Sequence, residues 1–238
     1  MSGSKSFETS EIHRLVERQM RNWELDRAVR RARPEAQRAE IEPFVAISRQ
    51  VGAGGREVAM LLGERLGWAV FDKEILHAMA GDDATRERVY ASMDERDLGW
   101  FAEMMRSLLD RSFVRNDYFH RLTKTVFSIA RNGRAVFLGR GIGWLLPRTA
   151  GLRVRIVAPL EIRLRSYCAQ NKMAADEACA TMERLEQERA QFINAHFGAD
   201  VADPSEYDLT VNLGRFSTVQ AVDLIETANK LRHADKPA

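Results

Sequence analysis

The 238-residue chain has only two cysteines, Cys168 and Cys179, too few and too far apart for a disulfide framework or a CxxC metal or redox pair. They read as reduced thiols that pack as small hydrophobes in a cytoplasmic protein. The five histidines, His13, His77, His120, His196 and His233, lack HExxH or any other ligand spacing, which excludes a histidine-built metal centre. There is no GxSxG elbow for a hydrolase, and no run near the roughly 18 apolar residues that a membrane span needs. The opening segment lacks a signal peptide's apolar stretch. Charge of one sign is missing too: 36 Lys and Arg against 34 Asp and Glu leave +2, no overall pull toward nucleic acid or a membrane. Charge therefore matters locally, and the arginine-rich "RAVRRAR" at residues 27–33 reads as a solvated helix face rather than a nucleic-acid contact.

The chain is long enough to bury a real core. Residues 1–10 are small and polar and read as a frayed end. Ile12, Leu15, Val16, Gln19, Met20 and Trp23 then fall at helical spacing, so 11–32 reads as an amphipathic helix ending near Pro34, the body of an N-terminal arm over 1–40. Its apolar stripe needs burial, either as a strap over the core or as a homodimer contact.

From Phe44 the pattern becomes βαβ. Near-continuous apolar runs at 44–48, 69–72, 135–139, 153–158 and 208–212 predict five strands of a parallel sheet covered on both faces. Helices are predicted at 55–66, 73–80, 97–112, 117–132, 160–170, 174–197 and 217–232. The span between the second and third strands exceeds what a crossover needs, so a helical insert is placed at about 82–132.

The chemistry concentrates after the first strand, in "RQVGAGGREVAMLLGERL". A strand, a loop of little side-chain bulk and a helix N-terminus aim backbone N–H groups and a positive dipole end at one spot, which suits a phosphate. Against the pattern GxxxxGK[ST], however, the first glycine is Arg49, the lysine is Gly55 and the hydroxyl residue is Arg56. A dinucleotide fingerprint fits worse, because its third glycine is Glu57. With the lysine gone, positive charge must come from elsewhere, and Arg49 and Arg56 flank the loop. Glu57 either approaches a magnesium ion through water or caps the helix. Arg140 follows directly on an apolar strand and emerges at the carboxyl end of the sheet, where open α/β proteins bind ligands.

With these runs in view, residues 44 to 230 resemble the cytidylate kinase-like family, relatives of the P-loop nucleoside monophosphate kinases. "ISRQVGAGGREVA" is similar to the family's ISR-x-x-G-S-G-G-x-x-I-A opening, "FDKEIL" to its Y-D-R-E-I-L, and "FLGRGIGWLLP" to its V-G-R-G run. "ERLEQERAQFINAHFG" and "DPSEYDLTVNLGRFSTVQAVDLI" resemble its C-terminal segment. The G-R-D-x-G-x-x-x-x-P run of bacterial cytidylate kinases is echoed by Gly139, Arg140, Gly141, Gly143 and Pro147, with Gly141 in place of the Asp.

The resemblance implies an α/β, P-loop NTPase-type three-layer fold over 41–238, with the five-stranded parallel sheet, the helical insert and a lid at about 163–197. It implies that Gly52, Ala53, Gly54, Gly55, Arg56 and Glu57 hold the phosphates of ATP, with Arg49 nearby. Asp72, Arg140 and Gly141 would form the acceptor side, for a pyrimidine monophosphate such as CMP or dCMP. Asp72 orients the acceptor, holds Mg2+ through water, or simply caps the helix that follows. Arg163, Arg184 and Arg189 fall at lid positions. In the insert, Arg111, Arg115 and Arg121 are further candidates for the acceptor phosphate, none singled out by spacing. The implied activity is transfer of the ATP γ-phosphate with Mg2+. The lost lysine leaves a second reading open, a nucleotide-binding module of the same fold without catalysis.

Overall fold

The computed structural model describes residues 3–32, 41–91, 117–139 and 141–234. The strands are β1 (Phe44–Arg49), β2 (Ala69–Phe71), β3 (Ala135–Leu138), β4 (Gly151–Val157) and β5 (Leu209–Asn212). They form one all-parallel sheet in the order β2-β3-β1-β4-β5, with helices on both faces. β4 pairs with β5 from Val154 opposite Leu209 to Val157 opposite Asn212. β2 and β3 are buried throughout, which is why they are written without polar alternation. No described helix is long and apolar enough to cross a membrane.

The described helices are α1 (Gly3–Ala32), α2 (Gly55–Leu66), α3 (Lys73–Gly81), α4 (Asp83–Tyr90), α5 (Asp117–Asn132), α6 (Ile142–Leu145), α7 (Leu160–Asn171), α8 (Ala175–Phe197) and α9 (Thr218–Ala234). The expected helix at 97–112 lies outside the described residues, as do Arg111 and Arg115. Several element limits differ from expectation by a residue or two, and two differences have identifiable reasons. Residues expected to fray are helical from Gly3, because no glycine or proline interrupts 4–10 and extending a formed helix costs far less than starting one. Asp72, expected to close the second strand, lies outside it, since its Oδ1 accepts the Ile75 N–H at 2.9 Å and caps α3. Helix α4 lies within the span expected to hold a helical insert but outside the helices predicted one by one: Asp82 caps it through the Thr85 N–H at 2.9 Å, a signal hidden in "GDDATRERVY" among charged residues.

The chain forms two compact units. Residues 1–44 and 67–135 make the first, 45–66 and 136–238 the second. In the first, α1 lies against β2, α3 and α5. Its predicted stripe is buried there at Val16, Gln19, Met20 and Trp23. Three polar bonds stitch it down: Trp23 Nε1 donates to Ile129 O at 3.0 Å, Gln19 Oε1 accepts the Val70 N–H at 2.7 Å, and Asp26 Oδ2 accepts the Arg134 N–H at 2.6 Å. The stripe is thus covered by this unit's own residues, while Leu25 and Val29 face outward. In the second unit α9 packs on α2, β4 and β5, and α7 on α8.

Trp23 combines full burial with a satisfied indole N–H. Its replacement, Trp23→Ala, should destabilise the protein by about 3–5 kcal/mol, read from the urea midpoint. A loss under about 1 kcal/mol would mean that α1 does not depend on this anchor.

Candidate functional site

The site grows from the end of β1, within the second unit. Gln50 fixes the strand exit against β4: its N–H donates to Ile156 O at 3.0 Å, and its Oε1 accepts the Ala158 N–H at 3.1 Å. A tight turn follows, closed by Ala53 N–H to Gln50 O at 3.3 Å, and α2 begins at Gly55, with Val58 N–H to Gly54 O at 3.3 Å as an early bond. The amides of a helix's first turn have no carbonyl one turn earlier and point outward with the dipole's positive end. Gly52 has φ +75°, and a Cβ there would collide with the carbonyl oxygen of Arg163 and lie 3.0 Å from its carbonyl carbon. Only glycine permits both the turn and this approach of α7.

The missing lysine has a steric explanation. A Cβ on Gly55 would lie 2.7 Å from Arg49 Cβ and 2.8 Å from Arg49 Cγ. The arginine stem therefore fills the space where a lysine at Gly55 would start. Arg49 itself stands where the phosphate-loop pattern has its first glycine. The Arg49 guanidinium extends to Gly139, where its Nη1 sits at the place a Cβ would need.

Helices α7 and α8 bring more charge. Arg163 Nε donates to Ala158 O at 3.1 Å, and its Nη1 lies 3.4 Å from Val51 O and 3.2 Å from Glu186 Oε1. Arg189 Nη1 donates to Arg49 O at 3.3 Å. Met182, Glu186, Arg189, Ile193 and Phe197 recur every three or four residues, so one face of α8 runs along the loop. Arg184 is not on it. It pairs with Glu188 at 2.6 Å on an exposed face, 62% and 54% accessible, and is not brought to the loop. Arg56 and Glu57 are exposed at the start of α2, and Glu57 Oε1 accepts from Gln170 Nε2 of α7 at 3.3 Å.

The other expected site residues fall as follows. Arg140 lies outside the described residues. Gly141 has φ +69°, and a Cβ there would collide with the Phe197 ring and lie 3.2 Å from Ile193 Cδ1. No aspartate fits in that space, which accounts for the departure from the GRD pattern. Phe197 in turn stacks on Trp144, centroids 6.1 Å apart, whose Nε1 donates to Glu206 Oε2 at 2.8 Å. Asp72 belongs to the first unit, 2% exposed and committed through Oδ1 to its cap. Arg121 is exposed in the same unit.

Glu186 is the residue that sequence reasoning missed. Its carboxylate accepts the Val51 N–H of the loop at 2.6 Å. In "ERLEQER" it is one of several acids that all resemble partners in helix-surface ion pairs. Only its place on the Met182–Arg189–Ile193 face separates it from Glu183 and Glu188. No group of three or more metal-ligating side chains occurs among the described residues.

The family whose sequence pattern this chain matches is described as the cytidylate kinase-like family, over residues 44–215. A cytidylate kinase from Pyrococcus horikoshii is 29% identical over 100 residues, 42% of this chain and 51% of that protein, so the match spans half of the relative's length. A cytidylate kinase from Halobacterium salinarum is 25% identical over 195 residues, 81% of this chain and 92% of that one. Among solved structures, an uncharacterized protein from Eubacterium ventriosum superposes with a TM-score of 0.61 at 17% identity, over 79% of this chain and 99% of that chain. That likeness concerns the fold.

The crowding of residue 55 by the Arg49 stem is testable by stability alone. Gly55→Lys should cost about 1–3 kcal/mol through overpacking against the Arg49 stem. In an Arg49→Gly background the same change should cost at least about 1 kcal/mol less, since the two side chains share one space. Equal costs in both backgrounds, by urea unfolding, would remove the steric explanation.

Proposed function

Because the chain belongs to the cytidylate kinase-like family, whose members are nucleotide kinase-type phosphotransferases, we propose that it moves the γ-phosphate of ATP to a pyrimidine nucleoside monophosphate such as CMP or dCMP. The observation that carries the reading is the loop Gly52–Glu57 between β1 and α2, ringed by Arg49, Arg163 and Arg189, with an arginine stem filling the lysine's place.

Phosphoryl transfer asks for in-line positioning and cationic stabilisation of charge on the equatorial oxygens, and for little covalent chemistry. The residues present suit that demand. Amides of the loop and the first turn of α2 bind the phosphates. Arg49 and Arg56 supply charge from the two sides of the loop, and Arg163 and Arg189 reach its first residues from α7 and α8. Guanidinium groups hold phosphate oxygens in fixed, bidentate geometry. On the acceptor side the proposal rests on Arg140, with Gly141 contributing backbone only.

The donor set fits a magnesium ion that arrives with its nucleotide rather than a resident one. Glu57, exposed beside the loop, is the carboxylate that would meet it through water. When bound, Mg2+ neutralises charge between neighbouring phosphates.

A second reading, a nucleotide-binding module without turnover, is favoured by Gly55 in the lysine's position. The two separate in one assay. Purified protein with Mg-ATP and a panel of monophosphates should form ADP only when CMP or dCMP is present. Nucleotide binding without acceptor-dependent ADP would select the module. Arg140→Ala should raise the acceptor KM by several tens of fold, for a charge-assisted contact of roughly 2 kcal/mol. Unchanged acceptor kinetics would remove Arg140 from the site.

A further inference from the structure

The loop's first amide already has an anion on it. Glu186 reaches Val51 from 135 residues further along the chain, and its 2.6 Å bond to the Val51 N–H has the short length of a charge-assisted contact. The same carboxylate holds Arg163, at 3.2 Å, and that guanidinium also touches the Val51 carbonyl at 3.4 Å. Val51 is buried, the Glu186 side chain is 29% exposed and the Arg163 side chain 14%, so the cluster is sheltered from water. A carboxylate on a sheltered amide beside an arginine reproduces the contacts that a phosphate oxygen would make.

The loop has two ends. At the helix end, Gly55 starts α2 and the dipole favours the first phosphates to arrive. At the strand end, Val51 carries Glu186. A longer phosphate chain seated at the helix end reaches further toward the strand end. Two anions cannot share one N–H and one guanidinium without strong repulsion.

Resting on the nucleotide reading above, we infer that Glu186 is a specificity-determining residue that sets how many phosphates the loop accepts. The third phosphate of a nucleoside triphosphate displaces its carboxylate from the Val51 N–H and takes over Arg163. A nucleoside diphosphate sits on the helix end and leaves Glu186 in place. The carboxylate therefore weakens triphosphate binding selectively, which keeps the affinities of donor and spent product close and eases their exchange.

The test is calorimetric titration of the full chain with Mg-ATP and Mg-ADP, for the wild type, Glu186→Ala and Glu186→Gln, each checked by its melting temperature. Glu186→Ala should bind Mg-ATP about tenfold more tightly, the scale of one displaced charge-assisted bond, with Mg-ADP within about twofold of wild type. Glu186→Gln, which keeps shape and acceptor oxygen but not charge, should shift in the same direction by less, and it keeps the test readable if the alanine variant melts early. Equal tightening for both nucleotides, or weaker Mg-ATP binding at an unchanged melting temperature, would overturn the inference while leaving the nucleotide site standing. A wild-type chain that takes up neither nucleotide would overturn the nucleotide reading, and this inference with it.

Discussion

Arg49 lies with its stem across Gly55, and much of the candidate site follows from that contact. Because the stem occupies the space at 2.7–2.8 Å from where a side chain would begin, residue 55 has to be glycine. The nearest cation on that side of the loop is rooted in the last residue of β1. A lysine at the helix start is a flexible ammonium on four methylenes, whereas an arginine rooted in a strand is a planar fork whose base is held by the sheet. Arg189 bonding to the Arg49 carbonyl fixes that base further.

Around this contact the second unit arranges opposite charges in a short chain. Arg163 is held by the Ala158 carbonyl and by Glu186, and Glu186 by the Val51 amide. Each polar group answers another, as a sheltered network requires if it is not to carry an unpaired charge. Arg184, one helix face away, makes an exposed i,i+4 pair with Glu188 worth a few tenths of a kcal/mol.

The strand–loop–helix grammar was legible because it rests on local rules. The apolar run of β1, the glycines at 52 and 54 and the period of α2 each state their structure within a few residues, and the match of α2 and α5 to their predicted limits reflects that. The family pattern over 44–215 was legible in the order of its motifs. What could not be read depended on rotation and distance. Arg184, Glu186 and Arg189 lie within six residues of one another, and only the turn of α8 decides which meet the loop. The reason for glycine at 141 lies 56 residues downstream, in the ring of Phe197. The reason for glycine at 55 lies in the stem of a residue that, by pattern alone, occupies a glycine's place.

The strap formed by α1 has a consequence for the order of events on the ribosome. Its anchors are made before its docking surface: Gln19 waits 51 residues for Val70, and Trp23 waits 106 for Ile129. Until then a helix with Val16, Met20 and Trp23 uncovered has no native partner, the kind of transient exposure that recruits chaperones or a neighbouring nascent chain. Contacts of such long sequence separation also slow folding, since loop closure is unfavourable before any burial compensates it. A helix made well before its partners is thus the closing piece of its unit.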